Sequence, residues 1–124
     1  MGLGLRSSSL SLDRKAFSGL RRGQSPARKL IQEYRLVKIG KQYFDAAGRF
    51  NLTIGNESEA HPPLLIECVF EVHVHGQAPI NEEFAKRFTG TGLRIVLPPY
   101  TRQFVTNASA QMAIPPIVLP LAGS

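Results

Sequence analysis

At 124 residues, 43% of them hydrophobic, the chain can bury one core but not two independent ones. Its nine prolines and eleven glycines argue against a long helical bundle, and its single cysteine, Cys68, excludes both an intramolecular disulfide and a cysteine-rich zinc site. No apolar run approaches the roughly 20 residues that span a bilayer, and the N-terminal segment lacks the continuous apolar core of a signal peptide, so a reducing, cytoplasmic compartment is expected.

The formal net charge of +6 is unevenly placed. Residues 1 to 29 carry Arg6, Arg14, Lys15, Arg21, Arg22, Arg28 and Lys29 against one acid, Asp13, whereas residues 30 to 124 carry equal numbers of each sign. The opening segment mixes Ser, Gly and Arg with scattered Leu and has no sustained period. It therefore reads as a disordered basic tail over 1–29, with a short helix around Asp13 to Leu20, preceding a domain over 30–124.

From Leu30 to Asp45 apolar residues interleave with Arg35, Lys38 and Lys41, a pattern read as strand. Ala46 to Arg49 then predicts a turn through Gly48. Phe50, Leu52 and Ile54 alternate with Asn51 and Thr53, as in a half-buried strand ended by Gly55 and Asn56. The clearest strand follows Pro62 and Pro63: Leu64, Ile66, Cys68, Phe70, Val72 and Val74 share one face, and Leu65, Glu67, Val69, Glu71, His73 and His75 the other. Such alternation favours an antiparallel sheet covered on one face.

After a turn at Gly76 to Pro79, Asn81 can cap a short helix with Glu82 and Glu83 in its first turn and Lys86 and Arg87 in its last, the order the helix dipole favours. Phe84 and Phe88, four apart, would anchor it. Thr89 to Gly92 should end it, and Leu93 to Leu97 reads as extended. Pro98 and Pro99 open a second helix. Its packed side is expected to carry Tyr100, Phe104, Val105, Ala108 and Met112, with Arg102, Gln103, Thr106 and Ser109 turned away, and Pro115 and Pro116 stop it.

The chain has no nucleophile elbow, phosphate-cradling loop or His-Glu-x-x-His, so no catalytic residue, metal ligand or cofactor is assigned. His73 and His75 share a strand face but lack an evident third ligand. Glu67 and Glu71 on that face could form an acidic docking surface for a partner. Nucleic-acid binding through the basic tail is a lesser alternative, because aromatic residues are not interleaved with the arginines there.

The order of strand, Phe-bearing helix, Pro-Tyr-x-Arg helix start and closing Pro-Pro segment resembles the SecB family. The residues that carry the resemblance are Leu97, Pro99, Tyr100 and Arg102, then Ala113, Pro115, Pro116, Ile117, Leu119 and Pro120. The run from Leu64 to Val72 is similar to the last sheet strand of that family, and Arg35 to Ala46 is a weaker match to the first. The resemblance covers roughly residues 60 to 121.

It implies an α+β fold, a small antiparallel sheet of three to four strands with a long helix on one face, assembled as a homotetramer. The implied function is that of an ATP-independent holdase that binds unfolded or nascent polypeptides for export, with SecA as a candidate partner. The chain reaches only Ser124, short of the C-terminal helix of better-known members. Its neutral domain with a basic tail also departs from the acidic members that serve SecA. A dedicated chaperone of an antitoxin, in a toxin–antitoxin system, is the competing expectation. Candidates for lining the peptide groove are Tyr43, Phe44, Phe50, Leu97 and Tyr100; Arg102 would have a structural role at the helix start.

Overall fold

The computed structural model describes residues 1–20, 27–55, 62–114 and 117. Four strands, β1 (Gly2–Leu12), β2 (Ala27–Ile39), β3 (Tyr43–Gly55) and β4 (Leu64–His75), form one antiparallel sheet in the order β1-β4-β3-β2. Alternation decides which face is covered. Phe44, Ala46, Phe50, Leu52 and Ile54 of β3 and Leu64, Ile66, Cys68, Phe70 and Val72 of β4 are all buried on the face that meets the helices. The fold is α+β, and the four strands among the described residues reach the upper end of the expected range.

The N-terminal segment is not a tail. Gly2–Leu12 pairs along its length with β4, from Gly2 opposite His73 to Leu12 opposite Leu64, with a bulge between Leu5 and Ser7. Leu3, Leu10 and Leu12 pack against the core from this edge. Ser7, Ser9 and Ser11 take the alternate positions, which diluted the apolar pattern and hid the strand. Asp13 then ends the strand and caps the next element. Its backbone N–H donates to the Pro63 carbonyl at 2.8 Å, and its side chain accepts from the Ala16 N–H at 3.1 Å, starting α1 (Arg14–Leu20). That short helix was legible, and Arg6, Arg14 and Lys15 belong to the folded unit.

The turn expected at Ala46 to Arg49 is displaced. Residues 40–42 make it, with the Gly40 N–H donating to the Tyr43 carbonyl at 2.8 Å, and β3 runs unbroken through Gly48, which pairs with Tyr34 on one side and Phe70 on the other. Gly48 is present for packing: a Cβ there would collide with the side chain of Leu97.

On the covered face lie α2 (Glu82–Arg87), a π-helical turn (Phe88–Gly92), α3 (Leu93–Val96) and α4 (Pro98–Gln111). The Asn81 side chain accepts from the Glu83 N–H at 2.7 Å, and the charges of α2 are ordered as its dipole favours. The extended segment expected at Leu93 to Leu97 is helical instead. The π turn carries the chain from α2 into α3, and Leu93 and Leu97 are both buried against the sheet, an outcome in which tertiary packing overrides the local preference of Ile95 and Val96.

Helix α4 starts at the proline pair as expected, and Phe104, Val105, Ala108 and Met112 pack against the core as expected, while Tyr100 and Ser109 exchange sides. Thr101, Val105, Ala108 and Ser109 are buried, whereas Tyr100 is 46% exposed. Ser109 tolerates burial because its hydroxyl donates to the Val105 carbonyl at 2.8 Å; Thr89 and Thr101 do the same to Ala85 and Leu97, at 2.8 and 3.1 Å. The helix ends in a Schellman motif: the Ala113 N–H donates to the Ala110 carbonyl and the Ile114 N–H to that of Ser109, both at 3.1 Å, with Ala113 left-handed at φ 54°. Pro115, Pro116 and Pro120 lie outside the described residues. Among the described residues no helix is long and apolar enough to cross a membrane.

Candidate functional site

Strand β2 is an edge of the sheet among the described residues, so one side of its backbone has no strand partner. Its side chains divide by register. Leu30, Gln32, Tyr34 and Leu36 stand opposite Leu52, Phe50, Gly48 and Ala46 and so face the helices. After a bulge between Leu36 and Lys38, Ile39 stands opposite Phe44 and returns to the same face. Lys29, Ile31, Glu33, Arg35 and Lys38 face the other way.

The helix-side residues of β2 border an apolar strip. Leu30 and Ile39 are each 37% exposed, Tyr34 and Leu36 are half-buried, and Phe84 of α2, which packs beside β2, is 51% exposed. Phe84 and Phe88 meet the buried Phe44 ring at centroid distances of 6.1 and 5.6 Å, both edge-on, so the strip's outer aromatic surface rests on the core. Midway along, the Arg94 guanidinium lies 5.5 Å from the centre of the Tyr34 ring, and the Tyr34 hydroxyl donates to Gln32 Oε1 at 3.0 Å. Burial raises the Tyr34 phenol above its ordinary value, with Arg94 opposing the shift, so the hydroxyl stays neutral. A small open cleft adjoins this point, lined in part by Tyr34, Gly48, Phe50, Leu97, Pro98 and Thr101.

Of the five residues expected to line a groove, Phe50 and Leu97 border one small cleft and the other three do not line it. Phe44 is wholly buried and Phe50 is 3% exposed, as core residues. Leu97 is also buried, although it and Phe50 reach the cleft. Tyr43, one position from Phe44 in the same strand, faces the opposite side of the sheet, where it stacks on His73 at 5.4 Å. Tyr100 is exposed in the first turn of α4, beside exposed Pro99 and half-buried Arg102. The residues that do form an accessible strip are Leu30, Tyr34, Leu36, Ile39 and Phe84. Their alternation in β2 was readable, but that β2 would be the edge was not.

Glu67 and Glu71 stand on the uncovered face, as the alternation of β4 required. Glu67 is paired with Arg49 at 2.8 Å, so this face mixes charges rather than presenting an acidic surface. Nearby, His73 Nδ1 lies 2.5 Å from Asp45 Oδ1, His75 stacks on His73 at 6.4 Å, and Lys38 lies 5.9 Å from the centre of the Tyr43 ring. No group of three or more His, Cys, Asp or Glu side chains placed to hold a metal occurs among the described residues.

No protein-family model matches the chain, and no curated protein matches it. Among solved structures, the Mycobacterium tuberculosis Rv1957 SecB-like chaperone, in complex with a ChAD peptide from the Rv1956 HigA1 antitoxin, superposes with a TM-score of 0.78 at 18% identity, over 100% of this chain and 89% of that one. The fold is SecB-like. A protein of unknown function from Streptococcus agalactiae is a more distant match, with a TM-score of 0.49, 8% identity and coverage of 98% of this chain and 94% of that one. Pro99, Tyr100 and Arg102 lie at the start of α4.

Proposed function

We propose that the protein is a chaperone that holds an extended polypeptide segment along the β2 edge, and that its client is an antitoxin. One observation carries the reading. A sheet edge with no strand partner among the described residues runs beside an accessible apolar strip, in a fold shared with a solved SecB-like chaperone that is in complex with an antitoxin peptide. An unfolded chain offers peptide groups and apolar side chains together, and an edge strand beside an apolar strip can satisfy both. Each client side chain that becomes fully buried contributes about 1.5–3 kcal/mol, so a few contacts offset the cost of ordering the segment. Holding requires no bond to be made or broken, and ATP has no part in it.

The antitoxin reading is favoured over general export service, because the fold match is to a chaperone complexed with a single antitoxin's peptide and the sheet's uncovered face is charge-mixed. The purified protein should keep the antitoxin encoded near its own gene soluble without ATP, and that client should slow hydrogen exchange in β2. Equal protection of several unrelated denatured proteins would favour the export holdase. An absence of protection for any client would overturn both readings. A homotetramer and a cytoplasmic location go with either reading, whereas contact with SecA belongs to the export reading alone.

A further inference from the structure

The uncovered side of β2 carries a charge pattern that a bare hydrophobic groove does not need. Lys29, Arg35 and Lys38 are all exposed there, against one acid, Glu33. Among the described residues none of these three cations forms an ion pair; Lys38 leans over the Tyr43 ring instead. Strand geometry makes the pattern specific. A segment added antiparallel to β2 would point alternate side chains toward Leu30, Tyr34, Leu36 and Ile39 and the intervening ones to the same side as Lys29, Glu33, Arg35 and Lys38.

We infer that the β2 edge selects a client strand in which apolar residues alternate with acidic ones, the acids falling opposite Lys29, Arg35 and Lys38. This rests on the β2-edge reading above and adds to it a rule for which extended segments are accepted. Burial of the apolar half provides affinity, and charge pairing fixes register and excludes basic segments. The same pattern disfavours a second copy of β2 as the occupant, since antiparallel pairing of two such strands would bring together edges that each carry three cations and one acid.

The test uses three labelled peptides with identical leucine and valine positions, whose intervening residues are all glutamate, all lysine or all serine, titrated against the full chain by fluorescence anisotropy. At low salt the glutamate peptide should bind roughly tenfold more tightly than the serine peptide, and the lysine peptide more weakly than serine, with the order compressed at high salt. Arg35→Glu combined with Lys38→Glu, both at exposed positions, should invert that order while leaving the serine peptide's affinity within about twofold. Equal binding of the glutamate and lysine peptides, or an order unchanged in the double variant, would overturn the charge rule while serine-peptide binding keeps the edge reading intact. If none of the three peptides binds, the edge reading itself falls, and the charge rule with it.

Discussion

Leu97, in the link between α3 and α4, places its side chain in the space that a Cβ on Gly48 would occupy at the centre of β3. The helical layer is thus seated on the sheet through a missing side chain, and the small residue Ala46, two positions away on the same face, keeps the approach close. Gly48→Val should destabilise the protein by about 1–3 kcal/mol through overpacking, read as a lower midpoint in urea unfolding. Adding Leu97→Ala should recover part of that loss, because the cavity one change makes receives the methyls of the other; a strictly additive double variant would refute the contact.

Ala113 occupies the left-handed position of the Schellman motif that ends α4, where a Cβ is strained. Ala113→Gly should therefore stabilise the fold by about 1 kcal/mol, even though glycine is more flexible in the unfolded chain. Thermal unfolding gives the sign, and a lowered midpoint would show that the motif is not retained.

Burial raises the Cys68 thiol to about 12 from an ordinary value of 9.0, with the neighbouring Glu67 carboxylate adding to the effect. Below about pH 9 folded and unfolded chains both hold the proton; between 9 and about 12 only the folded chain does, so stability falls as pH rises through that window. The alkaline slope should flatten in Cys68→Ala, measured by denaturant unfolding at a series of pH values. At neutral pH the native thiol should react with a disulfide reagent only at the rate of unfolding.

Leu10 of β1 stands opposite Ile66 and packs against the core. Leu10→Asp places a carboxylate there and should cost about 3 kcal/mol or more, detectable as a lost cooperative transition or a large drop in melting temperature. A variant as stable as the parent would restore the disordered-tail reading of this segment.

Local chemistry was the legible part of this fold. The two-residue alternation from Leu64 to Val74, the Asn81 cap and the proline pair that opens α4 each follow from short-range rules and appear in the structure where those rules put them. What depended on distant partners was not legible. The serines of β1 became strand residues only because β4 lies beside them, Gly48 looked like a turn because its reason for being glycine is Leu97, and the π turn that redirects Leu93 to Val96 has no local signature. The candidate site suffered most: aromatic residues drew attention to Phe44 and Phe50, which fill the core, while the accessible strip follows from strand order.

The pairing of β1 with β4 also sets an order of assembly. β1 leaves the ribosome before the other three strands, yet its partner β4 is made only after β2 and β3 are complete, so the sheet's final zipper joins distant parts of the chain. The hairpins β2-β3 and β3-β4 can form as they emerge, while Leu3, Leu10 and Leu12 wait without an edge to meet. For that interval the newborn chain carries its own loose apolar strand, and the sheet closes on the strand that was made earliest of the four.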